Sequence, residues 1–260
     1  MKQVELRNLA EVALTAAQAG AQVLMAHLNA RNEDLVIRAK RDGSPVSAAD
    51  LASHAAILQS LGPTGIPIIS EEGSLPTYSE RKSWPWFWLV DPLDGTESFL
   101  HHREGFAVNI ALCNGDGPVL GLVADPLSDT AYLGITGDGV QQISCSTGDR
   151  KALHPSPAEK PYRLVTSRNE QAELEELVPP GLAPDDVYSE PVSGALKFCL
   201  LATGEADIHA RTGSYMEWDC AAGDGILRAL GLTTFDRNTG EQLRYNSPTL
   251  RVEGLWVSRI

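Results

Sequence analysis

A chain of 260 residues, 43% of them apolar and 21% charged, can bury roughly three quarters of its unfolded surface, which excludes a small stapled module. Its 34 acidic residues against 21 lysines and arginines give a net charge of −13 and a pI near 4.8, which excludes a broad basic face for polymeric nucleic acid or an anionic membrane. A small phosphorylated partner stays open, because bound cations rather than the protein surface can supply the attraction.

Residues 4–28 read as a helix with Leu6, Leu9, Ala13, Ala17 and Leu24 on one face. Glu5, Arg7, Glu11, Gln18 and Gln22 interrupt the apolar run, so neither a signal peptide nor an integral membrane span is expected. Peripheral association at an inner membrane is left open. Ser47 to Asp50 has the spacing of a capping box before a second helix with Leu51, Ala55 and Leu58 on its apolar face. A short strand over 66–69 delivers Glu71 and Glu72 to its C-terminal edge, where open α/β sheets place ligands. A second strand, 87–90, ends at Asp91; Pro92 fixes φ for a tight turn and Gly95 supplies the freedom to leave it. Strands follow at 106–113, 119–124 and 132–135, with a hairpin signal at 137–139. The polar, proline-bearing stretch 147–161 suggests a division into an α+β domain, 1–150, and an α/β domain, 151–260. In the second, strand 163–167, helix 170–178, strand 187–190, a turn at 193–195, helix 196–203, strand 206–210 and a helix opened by Asp219 and stopped by Gly231 alternate as in a βαβ layer. The tail, 240–260, receives no role.

The chemistry lies in the acids. The turn after residue 90 can bring the carboxylates of Asp91 and Asp94, the Leu93 carbonyl and the Thr96 hydroxyl toward one point, and such hard oxygen donors suit Mg²⁺. Two carboxylates about 4 Å apart repel by roughly 4 kcal/mol at an effective dielectric near 20, so a fold that gathers several calls for cations. Taken singly, each fragment has an ordinary reading: Asp-Pro and Asp-Gly as turn pairs, Glu71-Glu72 as a solvated loop, Asp50 and Asp219 as helix caps. Cys113, Cys145, Cys199 and Cys220 show no CxxC spacing, which fits a reduced cytosolic setting without structural zinc. Trp84, Trp86 and Trp88 are expected in the core rather than as a base-stacking platform, and His101 and His102 in loop packing rather than ligation. No P-loop or GxGxxG occurs.

SEEG, DPLDGTxxF and WDxAAG, in this order, resemble the three motifs of the inositol monophosphatase superfamily, and the resemblance extends from residue 44 to 231. It implies a layered αβαβα sandwich like that of the inositol monophosphatases and fructose-1,6-bisphosphatases. It also implies lithium-sensitive phosphomonoester hydrolysis with two to three Mg²⁺. By this resemblance Glu71, Asp91 and the Leu93 carbonyl hold one ion, Asp91, Asp94 and Asp219 a second, and a looser third sits near Glu71. Thr96, paired with Asp50, orients the attacking water, so the catalytic set is Asp50, Thr96 and Glu71. Leu93, Asp94, Gly95, Thr96 and Asp219 surround the scissile phosphate.

Within the superfamily, SPVSAADLASH (44–54) and SGALKFCLLATGEADIHAR (193–211) are most similar to the CysQ branch, the 3'(2'),5'-bisphosphate nucleotidases. That branch implies conversion of 3'-phosphoadenosine 5'-phosphate to AMP, clearing a by-product of sulfate assimilation in the cytoplasm. Arg211 stands where inositol phosphatases place a sugar-gripping Glu, and a cation there suits a second phosphate. Ser193, Gly194 and Lys197 open a helix whose N-terminal amides can receive an anion; the alternative for Lys197 is a solvated surface lysine. The segment 211–217 is one residue longer than its inositol monophosphatase counterpart, and Ser98 stands where many relatives have Asn. An inositol or fructose phosphatase, and a catalytically silent phosphate or metal sensor, are the competing readings. A homodimer is common among such relatives.

Overall fold

The computed structural model describes residues 1–30, 48–102 and 105–260, with the backbone of a strand pair at 38–39 and 45–46. Helix α1 (Gln3–Asn29) is followed by β1 (Arg38–Ala39), β2 (Pro45–Val46), α2 (Ala48–Leu61), β3 (Ile68–Ser70), α3 (Tyr78–Arg81), β4 (Phe87–Asp94) and β5 (Ala107–Asn114). Then come β6 (Gly117–Asp125), β7 (Thr130–Ile135), β8 (Gly139–Ser144), β9 (Arg150–Ala152), β10 (Tyr162–Thr166), α4 (Leu174–Leu177) and β11 (Val187–Pro191). The chain closes with α5 (Leu196–Thr203), β12 (Ile208–Arg211), β13 (Tyr215–Met216), α6 (Glu217–Ala229), β14 (Phe235–Asp236), β15 (Arg251–Val252) and β16 (Leu255–Ser258). Ser47, the expected cap of α2, lies outside the described residues.

The layers are the αβαβα sandwich that the motif resemblance implies. A seven-stranded sheet runs β3 to β9 in sequence order; β3 is parallel to β4 and the rest is an antiparallel meander. Strand β4 is buried on both faces, so its side chains divide by the two-residue period of a strand. Trp88 and Val90 join Ala13, Ala17 and Leu24 of α1 on one side, while Phe87 and Leu89 join Phe198 of α5 and Ala222 of α6 on the other. Beyond those two helices lies a second sheet ordered β11-β10-β12-β16-β14, whose outer face covers Leu164 and Ile208 with Leu177 of α4. The three tryptophans are core or core-flanking, Trp88 fully buried. Of the described helices, α1 is long and apolar enough to cross a membrane by length and composition, yet its Leu and Ala stripe is spent on α2 and the sheet.

Several expectations need correction. The tight turn at Pro92 is a strand continuation: β4 runs through to Asp94 with a register shift against β5 between Asp91 and Asp94, so the acids sit on a bulge. The helix expected over 170–178 shrinks to Leu174–Leu177, because the Glu170 carboxylate instead accepts the Thr212 N–H and hydroxyl and the Gln171 and Ala172 amides. The tail is not idle: β16 lies between β12 and β14 in the second sheet.

Helix α6 carries the last acid, and its small residues decide where it lies. It rests on the seven-stranded sheet with Gly225 against Gly121; a Cβ at Gly225 would stand 2.8 Å from the Gly121 nitrogen, and one at Gly121 would drive into the Ala222 carbonyl. Gly121→Ala therefore has no flexible neighbour to displace. It should cost about 2–3 kcal/mol, as overpacked cores do, and lower the thermal midpoint by about 2–4 °C per kcal/mol. An unchanged melt would mean the helix is not seated so closely.

Candidate active site and metal centre

Three chain segments converge at the C-terminal edges of β3 and β4 and the first turn of α6. Glu71, Asp91 and Asp219 each present a carboxylate oxygen, and these oxygens lie within 4.8 Å of one another. Asp91 is held by its own bulge, accepting the Leu93 N–H at 3.0 Å, and Asp219 accepts the Met216 N–H at 2.8 Å. Asp94 stands beside the trio with one oxygen committed to Asn109 at 3.1 Å and to the Ala195 amide at 2.5 Å.

Burial and mutual repulsion set the electrostatics of the acids. Burial first, then the charges of Glu71, Asp94 and Asp219, hold the Asp91 carboxyl well above the ordinary range. Asp219 is likewise pushed well up by burial and by Asp94 and Glu71, against the pull of the Met216 amide and Arg211. Asp94 is raised by burial, opposed chiefly by Lys197. Close-set, mutually repelling carboxylate oxygens, Asp91 buried and the others half-buried, could hold a hard divalent cation. By contrast, burial holds the thiols of Cys113, Cys199 and Cys220 well above their usual value, so these free cysteines are inert.

Helix α2 buttresses the centre through one face. The Thr96 hydroxyl lies 3.1 Å from Asp50 and 3.3 Å from the Leu93 carbonyl. One turn along, the buried Ser53 hydroxyl donates to the Pro92 carbonyl at 2.8 Å, and His54 Nδ1 meets the Ser70 hydroxyl at 2.9 Å beside Glu71. Ser53 and His54 escaped the sequence reading, although their i+3 and i+4 spacing from Asp50 is the signal that places all three on one helix face. Gly95 leaves the bulge at φ 89°, where a Cβ would stand 2.9 Å from the Gly105 carbonyl.

From the acids opens a cavity of about 580 Å³, whose walls include Thr96, Ser193, Gly194, Lys197 and Arg211, the residues named from sequence, together with Ser167, Arg168, Asn169 and Tyr215, which were not. Arg211 lies 4.3 Å over the Tyr215 ring and donates to the Ser167 hydroxyl at 2.9 Å. Tyr215 had no motif to announce it. Lys197 is not a solvated lysine: it is 2% exposed, and its ammonium donates to the Gly194 carbonyl at 2.6 Å and the Val192 carbonyl at 3.2 Å. The Ser98 hydroxyl donates to the Ser193 hydroxyl at 3.2 Å. His101 is exposed, and the side chain of His102 lies outside the described residues.

The chain is similar to known proteins over nearly its whole length. Residues 5–258 match the inositol monophosphatase family. The 3'(2'),5'-bisphosphate nucleotidase CysQ of Escherichia coli O157:H7 is 36% identical over 231 residues, covering 88% of this chain and 90% of that protein. Among solved structures, CysQ from Bacteroides thetaiotaomicron superposes with a TM-score of 0.82 at 29% identity, over 96% of this chain and 97% of its own. An inositol monophosphatase from Anabaena superposes at 0.75 and 22% identity, over 98% and 92%, and shares the fold.

Proposed function

The chain belongs to the inositol monophosphatase family, and from that premise we propose that it removes the 3'-phosphate of 3'-phosphoadenosine 5'-phosphate, leaving AMP and inorganic phosphate, with two to three Mg²⁺ as cofactor. The observation that carries the reading is a close-set, mutually repelling acid trio, Asp91 buried and Glu71 and Asp219 half-buried, at one end of a cavity whose wall holds Arg211, a cation suited to a second phosphate. The identity to CysQ proteins supports the same substrate. Free cysteines, three of the four buried, suit a reducing cytoplasm.

Bound Mg²⁺ would supply Lewis-acid charge to the phosphoryl oxygens through Glu71, Asp91, Asp94, Asp219 and the Leu93 carbonyl. The chain's own groups do the rest. With its proton given to Asp50, the Thr96 oxygen accepts a hydrogen bond from the attacking water, fixing that water and leaving a carboxylate one hydroxyl away from its proton. The new P–O bond forms from water as the bond from phosphorus to the 3'-oxygen breaks, and the 3'-oxygen leaves with a proton as the ribose hydroxyl. Ser193 and Gly194 of the cavity wall would border the phosphate side, and Arg211 would face the remainder of the nucleotide.

The test is phosphate release with Mg²⁺ from 3'-phosphoadenosine 5'-phosphate, inositol 1-phosphate and fructose 1,6-bisphosphate, with and without lithium. Preference for the nucleotide and inhibition by lithium are expected. Release from inositol phosphate alone would replace this reading with a sugar phosphatase, and no release from any substrate would favour a silent sensor.

A further inference from the structure

A buried acid just ahead of the Trp218-Asp219 pair touches no wall of the cavity. Glu217, fully buried, aims its carboxylate away from the acid trio and into the loop 245–250. Its Oε2 accepts the Asn246 N–H at 2.6 Å and its Oε1 the Ser247 N–H at 2.8 Å. Asn246 adopts φ 65°, the left-handed conformation that turns successive amides toward one anion. The loop is gripped from behind as well. Arg81, 2% exposed, donates to Asn246 Oδ1 at 2.6 Å and to the Pro248 carbonyl at 2.9 Å, and the Asn246 side-chain amide returns a bond to the Arg81 carbonyl at 2.8 Å. The Leu250 carbonyl then accepts the Glu217 backbone N–H at 2.8 Å, and β13 pairs with β15 just beyond.

We infer that Glu217 is a positioning residue: its carboxylate latches the C-terminal loop 245–250 onto the first turn of α6 and so fixes Asp219 for cation binding. Asp219 is two residues along the same turn and bonds back to Met216, the residue before Glu217, so residues 216–219 move as one body with the latch. No residue of the loop lines the cavity, and the Glu217 carboxylate ties the loop directly to the first turn of α6. The carboxylate is specific, since two N–H donors and the nearby Arg81 charge face it; a glutamine would set an NH₂ against one of those amides. The inference rests on Asp219 being a metal ligand.

Mn²⁺ binding to the metal-free full-length protein, followed by electron paramagnetic resonance at a temperature where every variant is folded, tests it. Glu217→Gln should weaken Mn²⁺ binding about 10- to 100-fold, as loss of an outer support does. Binding and latch must help each other equally, so Mn²⁺ should slow hydrogen exchange at the Asn246 and Ser247 amides in the wild type and fail to do so in Asp219→Asn. Wild-type affinity in folded Glu217→Gln overturns the latch. If Glu217→Gln does not fold, Asn246→Gly keeps the left-handed backbone and both amides while removing two of the three bonds to Arg81, those made by the Asn246 side chain. It should then lose affinity about three- to tenfold, a fraction of that outer-support range, and unchanged affinity overturns the inference. Unchanged Mn²⁺ binding in Asp219→Asn would instead sink the ligand reading on which the latch depends.

Discussion

Asp91→Asn is expected to lower phosphate release about 10³-fold or more, since outer supports of a metal already cost about 10- to 100-fold and preorganised charge at a reacting centre about as much again. The same substitution should stabilise the metal-free protein. Asp91 is 2% exposed and lies among Glu71, Asp94 and Asp219, whose charges add to burial in penalising its ionised form. An asparagine keeps the oxygen that accepts the Leu93 N–H and turns its NH₂ toward Glu71, so repulsion is replaced by a hydrogen bond. A gain of about 1 kcal/mol would raise the thermal midpoint in chelator by about 2–4 °C. Added Mg²⁺ should then raise the midpoint of the wild type and leave the variant nearly unmoved.

The pH dependence has a definite sign. Asp91, Asp94 and Asp219 have folded-state pKa values above the ordinary 3.8, so the stability they allow is fully present below that value and is lost as pH rises through their folded pKa values. Asp138, held near 2 by Arg7, and Glu170, held near 2 by the amides and hydroxyl it accepts, act in the opposite direction and lose their contribution as pH falls toward 2. Metal-free protein should therefore be most stable in mildly acid solution and weaken toward pH 8, and Mg²⁺ should flatten that slope. Equal slopes with and without Mg²⁺ would remove the acid trio as the seat of the metal.

The acids were legible because their setting is written locally: each follows a short apolar run or opens a run of small residues, and such runs end at sheet edges or begin helices. The small residues of α6 were legible for the same reason, and they seat it against Gly121. What local pattern cannot carry is the partner or the burial that a side chain meets only in the folded chain. Glu170 looks like the start of a helix until Thr212 captures its carboxylate. Lys197 looks like a surface lysine until two carbonyls of its own turn take its protons in a buried niche. Arg81, Asn246 and Glu217 belong to no shared motif and meet only in the folded tail. Tyr215, which carries Arg211, became a site residue only when β12 and β13 were brought to one wall.

That difference between Lys197 and Arg211 separates their expected effects. Arg211 sets its guanidinium over the Tyr215 ring and bonds Ser167, with no carboxylate hydrogen-bonded to it among the described residues, so its fork is poised for an anion in the cavity. Charge-assisted hydrogen bonds contribute about 1.5–3 kcal/mol, so at 1.36 kcal/mol per tenfold Arg211→Ala should raise KM for 3'-phosphoadenosine 5'-phosphate about 10- to 100-fold. For adenosine 3'-phosphate, which lacks the second phosphate, the change should be small. Lys197 has two protons committed to the Val192 and Gly194 carbonyls and lowers the pKa of Asp94. Lys197→Met removes the cation nearest that acid and loosens the turn whose Ala195 amide bonds it, so kcat should fall for both substrates alike. Steady-state kinetics of the two variants on the two nucleotides give the comparison. Equal KM effects of Arg211→Ala would withdraw Arg211 from the second phosphate, and a nucleotide-selective KM effect of Lys197→Met would put the lysine there instead.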